Sequence, residues 1–408
     1  MKRNLRRWLC GVLAAAMIPA FALGALQRRL PDTIYLPEHS PLALAQMPWL
    51  LPVRAGGSIL AEGGKNGESY NAVLGLWGVI PVKTVRVVAA ERRVVMVSGA
   101  PFGIKMFSDG ALVVGFSDIL GSSGYCNPAR EAGVKLGDRI ISVGGRSVHS
   151  NEDLSLALQN SPGDTVQLQL ERDGQKMTLQ ANLQHGTAGK GKLGVWVRDS
   201  SAGIGTMTFW EPETNRFAGL GHAISDSDTG QSIALLSGEV SRVNITGFKR
   251  GAPGLPGELK GEFLEKSGNL GRIAANQSQG VYGVLCRSLE GTPYEVAAAQ
   301  EITKGPAQIL TTISGTEPEW YDVEIERVSL RTSDPNKNMI LRVTDSRLLQ
   351  ATAGIIQGMS GSPVLQNGRL AGAVTHVLVN DPTRGYAIFA QEMVDQMDGM
   401  EQTQPAAG

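Results

Sequence analysis

Glycine and proline usage, the spacing of β-branched residues and one glycine-bracketed serine together predict a mainly β protein built from several modules. The 408 residues include 51 glycines and 20 prolines but few aromatics, a composition that suits strands joined by tight turns. Runs such as Leu193-Gly194-Val195-Trp196-Val197 alternate, and Val79 to Val88 and Val94 to Val97 are rich in β-branched residues. The third observation is Gly358-Met359-Ser360-Gly361-Ser362-Pro363. A serine hydroxyl is a poor nucleophile unless a sharp turn holds it, a base takes its proton and backbone amides meet the oxyanion. The hexapeptide supplies the turn, and the backbone N–H groups of Gly358 and Ser360 are the expected oxyanion donors. Basic and acidic residues number 38 each, so no global field favours nucleic acid. Cys10, Cys126 and Cys286 are too dispersed for a disulfide framework and read as isolated buried thiols. Neither a metal site nor a cofactor is implied.

In chain order, Met1 to Arg7 carries four basic residues, and Trp8 to Leu26 follows with nineteen uncharged ones. At ~1.5 Å per helical residue that run just spans a bilayer core of about 30 Å with the basic end cytoplasmic. Residues 1–29 therefore read as a membrane anchor. A cleaved signal segment is the alternative, with small residues in Ala22-Leu23-Gly24. Either reading exports the protein. Residues 30–98 read as an extended linker rich in proline and glycine, ending in a β region in which Val79 to Val88 and Val94 to Val97 flank a polar stretch as two strands. His39, within it, reads as a solvated surface residue.

Residues 99–185 form a second unit. Pro101-Phe102-Gly103-Ile104 leads into a strand, Ala111 to Phe116 gives another, Ala132 to Gly145 follows, and Asn151 to Leu158 is helical. This stretch resembles a PDZ domain. The resemblance implies that the amides of Phe102, Gly103 and Ile104 cradle a peptide carboxylate while the peptide adds a strand beside Ile104 to Phe107. The chain's own N-terminal region is one candidate ligand, and a domain that only docks on its neighbour is the alternative. His149 reads as exposed. Gln184 to Lys192 suits a hinge. Residues 193–398 then form the third unit, and 399–408 a disordered tail.

Within the third unit His222 and His376 are the histidines available to Ser360. His222 follows small residues and arrives from a distant part of the chain, as a general base facing its nucleophile across a cleft does. His376 lies on the strand after the serine turn and reads as pocket lining or core. Asp226 and Asp228 are near His222 in sequence, but four residues of extended chain span about 13 Å. Asp345, closing the apolar strand Met339 to Thr344, is the expected orienting carboxylate, the alternative being a cap on Ser346 to Leu349. Gly372 to Thr375 is the expected pocket wall, and the loop Gly251 to Gly261 fringes the cleft or is a mobile surface loop.

Gly219-Leu220-Gly221-His222-Ala223-Ile224-Ser225-Asp226, Val343-Thr344-Asp345 and the Ser360 hexapeptide resemble the sporulation serine peptidase family, stage IV sporulation protein B. Arg198 to Thr208 is similar to that family as well. The resemblance implies a chymotrypsin-like domain of two β-barrels with His222, Asp345 and Ser360 as catalytic residues. It implies an enzyme in the intermembrane space of the developing forespore that trims its own N-terminal region and cleaves a membrane-bound regulator. That cleavage would release an intramembrane metalloprotease that matures a late sigma factor. Met359 stands where many trypsin relatives carry an aspartate for a newly cut N-terminal amine, so activation by that ion pair is not available. The alternative function is a membrane-tethered PDZ peptide-binding protein with an inactive peptidase domain.

Overall fold

A computed structural model describes residues 21–37, 40–53, 68–121, 124–185, 191–264 and 269–400. His39, Cys10, residues 1–20 of the expected anchor and most of the expected tail lie outside them.

The segment read as a linker folds. Residues 21–29 form helix α1, and β1 (Thr33–Leu36), β2 (Leu50–Pro52), β3 (Ser69–Leu76) and β4 (Ile80–Ala89) make a sheet in the order β1-β4-β3-β2. Alternation explains β4: Val82, Val85 and Val87 turn inward and bury, with Leu30, Ile34, Leu42, Leu44 and Leu74, in a small core. Leu23 and Leu26 of α1 pack on that core, so the end of the expected membrane span packs on the sheet. Among the described residues no helix is long and apolar enough to cross a membrane. Nor do the two expected valine-rich strands pair: β4 lies between β1 and β3, whereas β5 (Val94–Val97) joins later strands.

β6 (Pro101–Phe116) is the first strand of a barrel and also the last common ground with the PDZ unit. From it the chain leaves through β7 (Ile119–Gly121), β8 (Gly124–Cys126), α2 (Pro128–Glu131), β9 (Arg139–Val143), β10 (Arg146–Ser147), α3 (Asn151–Gln159), β11 (Thr165–Arg172), β12 (Gln175–Asn182), β13 (Gln184–His185) and β14 (Gly191–Lys192). It returns on β15 (Val195–Trp210), which pairs antiparallel with β6 from Val195↔Phe116 to Thr206↔Pro101. The PDZ unit is thus inserted between two neighbouring strands of a barrel instead of preceding it. Its core holds Val113, Val134, Ile140, Leu154, Leu158 and Leu168.

The first barrel continues with β16 (Arg216–Gly219), β17 (Leu235–Lys249), β18 (Glu258–Phe263, paired only to β17), β19 (Asn269–Gln277) and β20 (Gly280–Leu285). The order β6-β17-β19-β20-β16-β15 closes through the β6–β15 pairing. β21 (Thr292–Glu295) bridges to β5. The second barrel is closed in the order β22 (Gly305–Thr311), β23 (Glu319–Val328), β24 (Met339–Val343), β27 (Asp381–Phe389), β26 (Arg369–Leu378) and β25 (Pro363–Gln366). Helix α4 (Ser346–Thr352) leads to the serine turn, and α5 (Ala390–Gly399) closes the chain against the barrel. The double barrel expected from the family resemblance is therefore present, but it begins at Pro101 rather than near 193. Cys126 and Cys286 are free thiols, and Cys286 is exposed rather than buried.

Candidate active site

The serine turn is shaped by contacts from the other barrel. Gly358 and Gly361 adopt φ of +97° and +94°, and a Cβ on Gly361 would lie 1.9 Å from the Thr206 carbonyl oxygen. Only glycine fits there. From β15 the Thr206 N–H donates to the Ser360 carbonyl (2.9 Å), Thr206 Oγ1 to the Gly358 carbonyl (2.9 Å) and Thr208 Oγ1 to the Gly361 carbonyl (2.8 Å). With its carbonyls held that way, the turn leaves the N–H groups of Gly358 and Ser360 without a protein acceptor among the described residues. Two such donors on cleft-lining residues beside a hydroxyl suit an oxyanion. Met359 is fully buried among apolar side chains, so no charged group waits there for an amine.

His222 reaches the same cleft because Leu220 and Gly221 take successive left-handed conformations, φ +65° and +68°, and turn the chain sharply after β16. Asn276 fixes the following loop: its Oδ1 accepts from the Ile224 N–H (2.8 Å), and its Nδ2 donates to the carbonyls of Ile224 and Ile233 (2.9 Å each). His222 Nδ1 lies 2.8 Å from the Ala223 carbonyl. A carbonyl can only accept, so Nδ1 carries the proton and Nε2 keeps the basic lone pair. Burial pushes the His222 imidazole below its ordinary range, which keeps it neutral, as a base must be. The cleft, about 740 Å³, is lined by Ser200 to Ile204, His222, Ile355 to Gly358, Ser360 and Thr375 to Val377. Ser360 Oγ donates to the Thr375 carbonyl at 2.6 Å.

Asp345 does not join them. It caps α4, its carboxylate accepting from the Arg347 N–H (2.8 Å), and it pairs with the Arg347 guanidinium (2.9 Å) and takes the Asp322 N–H. Arg347 holds its carboxyl below the usual range. The expected orienting carboxylate is thus a helix cap, and it is absent from the cleft lining. Asp226 is also occupied: buried, it pairs with Arg198 and accepts from Thr229 and the Asp228 N–H. In place of a carboxylate, His222 has the Ala223 carbonyl on one side and the His376 ring on the other, centroids 4.5 Å apart. His376 is pocket lining. Burial by the cleft and the neighbouring His222 hold it low, while Asp334, paired to Lys337 at 2.8 Å, offsets part of that. Thr375 lines the pocket as expected, but Gly372 packs against the Ile388 carbonyl inside the barrel. Pro256 brings the Gly251 to Gly261 loop to the cleft rim.

The peptide site expected at Phe102, Gly103 and Ile104 is displaced. Those residues are buried, and both edges of their strand are taken: Ile104 opposes Gly203 on β15 and Val240 on β17. No edge remains for an added strand. The PDZ groove lies instead between α3 and Leu193 to Val197, a cavity of about 500 Å³ that also includes Leu154, Ser155 and Leu158. Gly194, at φ +75°, turns the chain into β15. The apolar-glycine-apolar run Leu193-Gly194-Val195 was the signal, hidden because it sits beyond the apparent hinge. Thr206, Thr208 and Asn276 were missed because nothing local marks a hydroxyl or amide that acts across more than fifty residues. His149, as expected, is exposed, 2.7 Å from Asp109.

Two six-stranded barrels meeting at a neutral histidine and a glycine-flanked serine define a chymotrypsin-like serine peptidase carrying a PDZ insertion. The family model "SpoIVB peptidase S55" matches residues 189–394, and a PDZ domain model matches 125–183. The chain belongs to the SpoIVB peptidase S55 family and is a serine peptidase. A Bartonella henselae protein named "Putative zinc metalloprotease BH06270" is 38% identical over 65 residues, 16% of this chain and 18% of that protein, so the chain spans under a fifth of its length. Among solved structures, the active form of the Rv3671c protease from M. tuberculosis is similar at 16% identity, covering 51% of this chain and 78% of its own, with a TM-score of 0.30. The PDZ domain of the SdrC-like protein from Listeria monocytogenes is 19% identical, covering 22% and 87%, with a TM-score of 0.18.

Proposed function

We propose that this serine peptidase is an exported sporulation endopeptidase, held at the membrane by its N-terminal segment. In that role it trims its own N-terminal region and cleaves a membrane-bound regulator, and so triggers intramembrane processing of a late sigma factor. The observation that supports the chemistry is the meeting of His222, Ser360 and the unpaired amides of Gly358 and Ser360 in one cleft. Ser360 Oγ leaves the Thr375 carbonyl by rotation about χ1, Nε2 of His222 takes its proton, and the oxygen attacks the scissile carbonyl. The oxyanion is met by the two amides, and the imidazolium returns its proton to the leaving amine. The Ala223 carbonyl then faces the charged ring where a carboxylate ordinarily would.

The resting hydroxyl, committed to Thr375 at 2.6 Å, favours a latent state that substrate or a PDZ ligand releases. Such a ligand adds to the open edge of Gly194 to Val197 beside α3. The test pairs a fluorophosphonate reagent with N-terminal sequencing of mature protein. Wild type is expected to label at Ser360 and to mature, and Ser360→Ala to do neither. Labelling that persists in Ser360→Ala refutes the nucleophile, and maturation that persists refutes self-trimming.

A further inference from the structure

One end of the N-terminal sheet exposes apolar surface that no other described residue covers. Trp77, Val79 and Ile80, in and after the β3–β4 turn, are 68%, 74% and 50% exposed, and Leu51 and Trp49 stand beside them. They form one patch: the Trp77 N–H donates to the Trp49 carbonyl (2.8 Å), and Gly78 packs near Leu51. Residues 40–53 and 69–90 contain no acidic side chain.

The chain's path leads from this patch toward its N-terminus. β1 runs parallel to β4, Thr33 opposite Arg86, so each step back along one is a step back along the other. Lys83 Nζ donates to the Leu30 carbonyl (2.7 Å) and Gln27 Nε2 to that of Val82 (2.5 Å), two residues short of Ile80. Helix α1 lies before β1 in the chain, with Phe21 exposed. Before it stand Trp8 to Ala20, uncharged, preceded by four basic residues. Because Leu23 and Leu26 are used by the sheet, thirteen residues remain for the bilayer, about 20 Å if helical against a core of about 30 Å. No spacer separates them from the sheet.

We infer that the Trp49–Trp77–Val79–Ile80 face rests in the interfacial layer of a phospholipid bilayer, docking that end of the sheet on the membrane from which the chain emerges. Tryptophan prefers that layer, where its ring is apolar and its N–H wet. Arg28 and Arg29, exposed at the end of α1, carry the sign that anionic headgroups attract, whereas Lys83 is paired to Asp32. The inference rests on the reading of residues 1–20 as a membrane segment.

The experiment uses the full chain bearing Trp8→Phe, mixed with phosphatidylcholine–phosphatidylglycerol vesicles brominated just below the headgroups. The protein is expected to float with the vesicles and its tryptophan emission to be quenched. Adding Trp49→Phe and Trp77→Phe should remove most of that quenching, with flotation and Ser360 labelling unchanged. Flotation with quenching untouched by those substitutions overturns the docking face and leaves the membrane segment standing. Absence of flotation overturns both. A charged variant, Trp77→Glu with Val79→Glu, guards against misfolding: native circular dichroism with loss of quenching supports lipid contact. Dissociation of an oligomer in sedimentation, with quenching unaffected, would assign the face to a second copy and overturn the inference.

Discussion

The two barrels have the same strand number but different dependence on the rest of the chain. The second is continuous from Gly305 to Phe389 and closes on its own strands, with Ile309, Tyr321, Ile325, Leu341 and Val364 buried inside. The first is interrupted in sequence between its paired strands β6 and β15, and both strands run out of it to form part of the PDZ unit. Its β15 passes the PDZ groove at Val195 to Val197, the cleft at Ser200 to Ile204 and the serine turn at Thr206 and Thr208. The self-contained barrel thus carries the nucleophile, and the interrupted one carries the base and the struts that shape the nucleophile's turn. Chemistry that needs both is placed on the strand that also borders the PDZ groove.

The largest expected effect separates the residues that meet at the cleft from the one that does not. His222→Ala should lower kcat/KM by about 10⁴-fold with folding intact, since base catalysis and nucleophile activation are lost together. Asp345→Asn should leave kcat/KM within about tenfold of wild type and lower stability by about 1 kcal/mol, the cost of a weakened cap and ion pair. A loss as large as that of His222→Ala, measured on the same peptide substrate, would restore Asp345 to the catalytic group.

Next in size is the strut between barrels. Thr206→Val removes the hydroxyl that holds the Gly358 carbonyl and frees that peptide to turn, so kcat should fall about 10- to 100-fold with KM little changed. Equal changes in kcat and KM would mean that the bond shapes binding instead. Acid should act through the base. Burial lowers the His222 pKa, so kcat/KM should hold as pH falls through the ordinary histidine range and drop only below it. An inflection above pH 7 would contradict a neutral, desolvated base.

A smaller effect is expected where β15 leaves the PDZ unit. Arg198 pairs with Asp226, which is buried in the loop after His222, and with Asp228 at 2.7 Å. Arg198→Met leaves Asp226 its Thr229 and backbone donors but no cation. It should cost about 1–2 kcal/mol of stability and several-fold in kcat/KM, with faster amide exchange confined to residues 223–230. Exchange that rises evenly through the first barrel would argue against a local tether.

How much of this was legible follows from how far each interaction reaches. The glycine-bracketed serine turn, His222 after its small residues and the stretch from Ala132 to Gly145 are local patterns, and each sits where its pattern implies. Pro101 to Ile104 misled because a strand that opens a PDZ unit and one that opens a barrel read alike. Only its pairing to residues 203 and 240 distinguishes them. Asp345 misled because a strand-end acid before a helix is chemically suited both to orienting an imidazole and to capping. The choice was made by Arg347, two residues on. Of the N-terminal sheet only β4 was legible, as Val79 to Val88, because β1 and β2 are four and three residues long, too short to show a period.

The smallest effect tests the autonomy of the second barrel. Glu392 on α5 has one oxygen bonded to Asn338 (3.1 Å) and the other buried without a partner among the described residues. Burial pushes its carboxyl up to about 7. The folded state therefore holds a proton that the unfolded chain releases at lower pH, and stability is lost as pH rises through 7. Glu392→Gln imitates the protonated form, so it should be neutral near pH 5 and stabilising by about 1 kcal/mol near pH 8, discounted for partial exposure. If the barrels unfold independently, calorimetry should show only the transition containing the second barrel moving. A shift of every transition together would mean that the Thr206 and Thr208 struts couple the barrels into one cooperative unit, and that interrupting the first barrel's chain with the PDZ insertion does not loosen it.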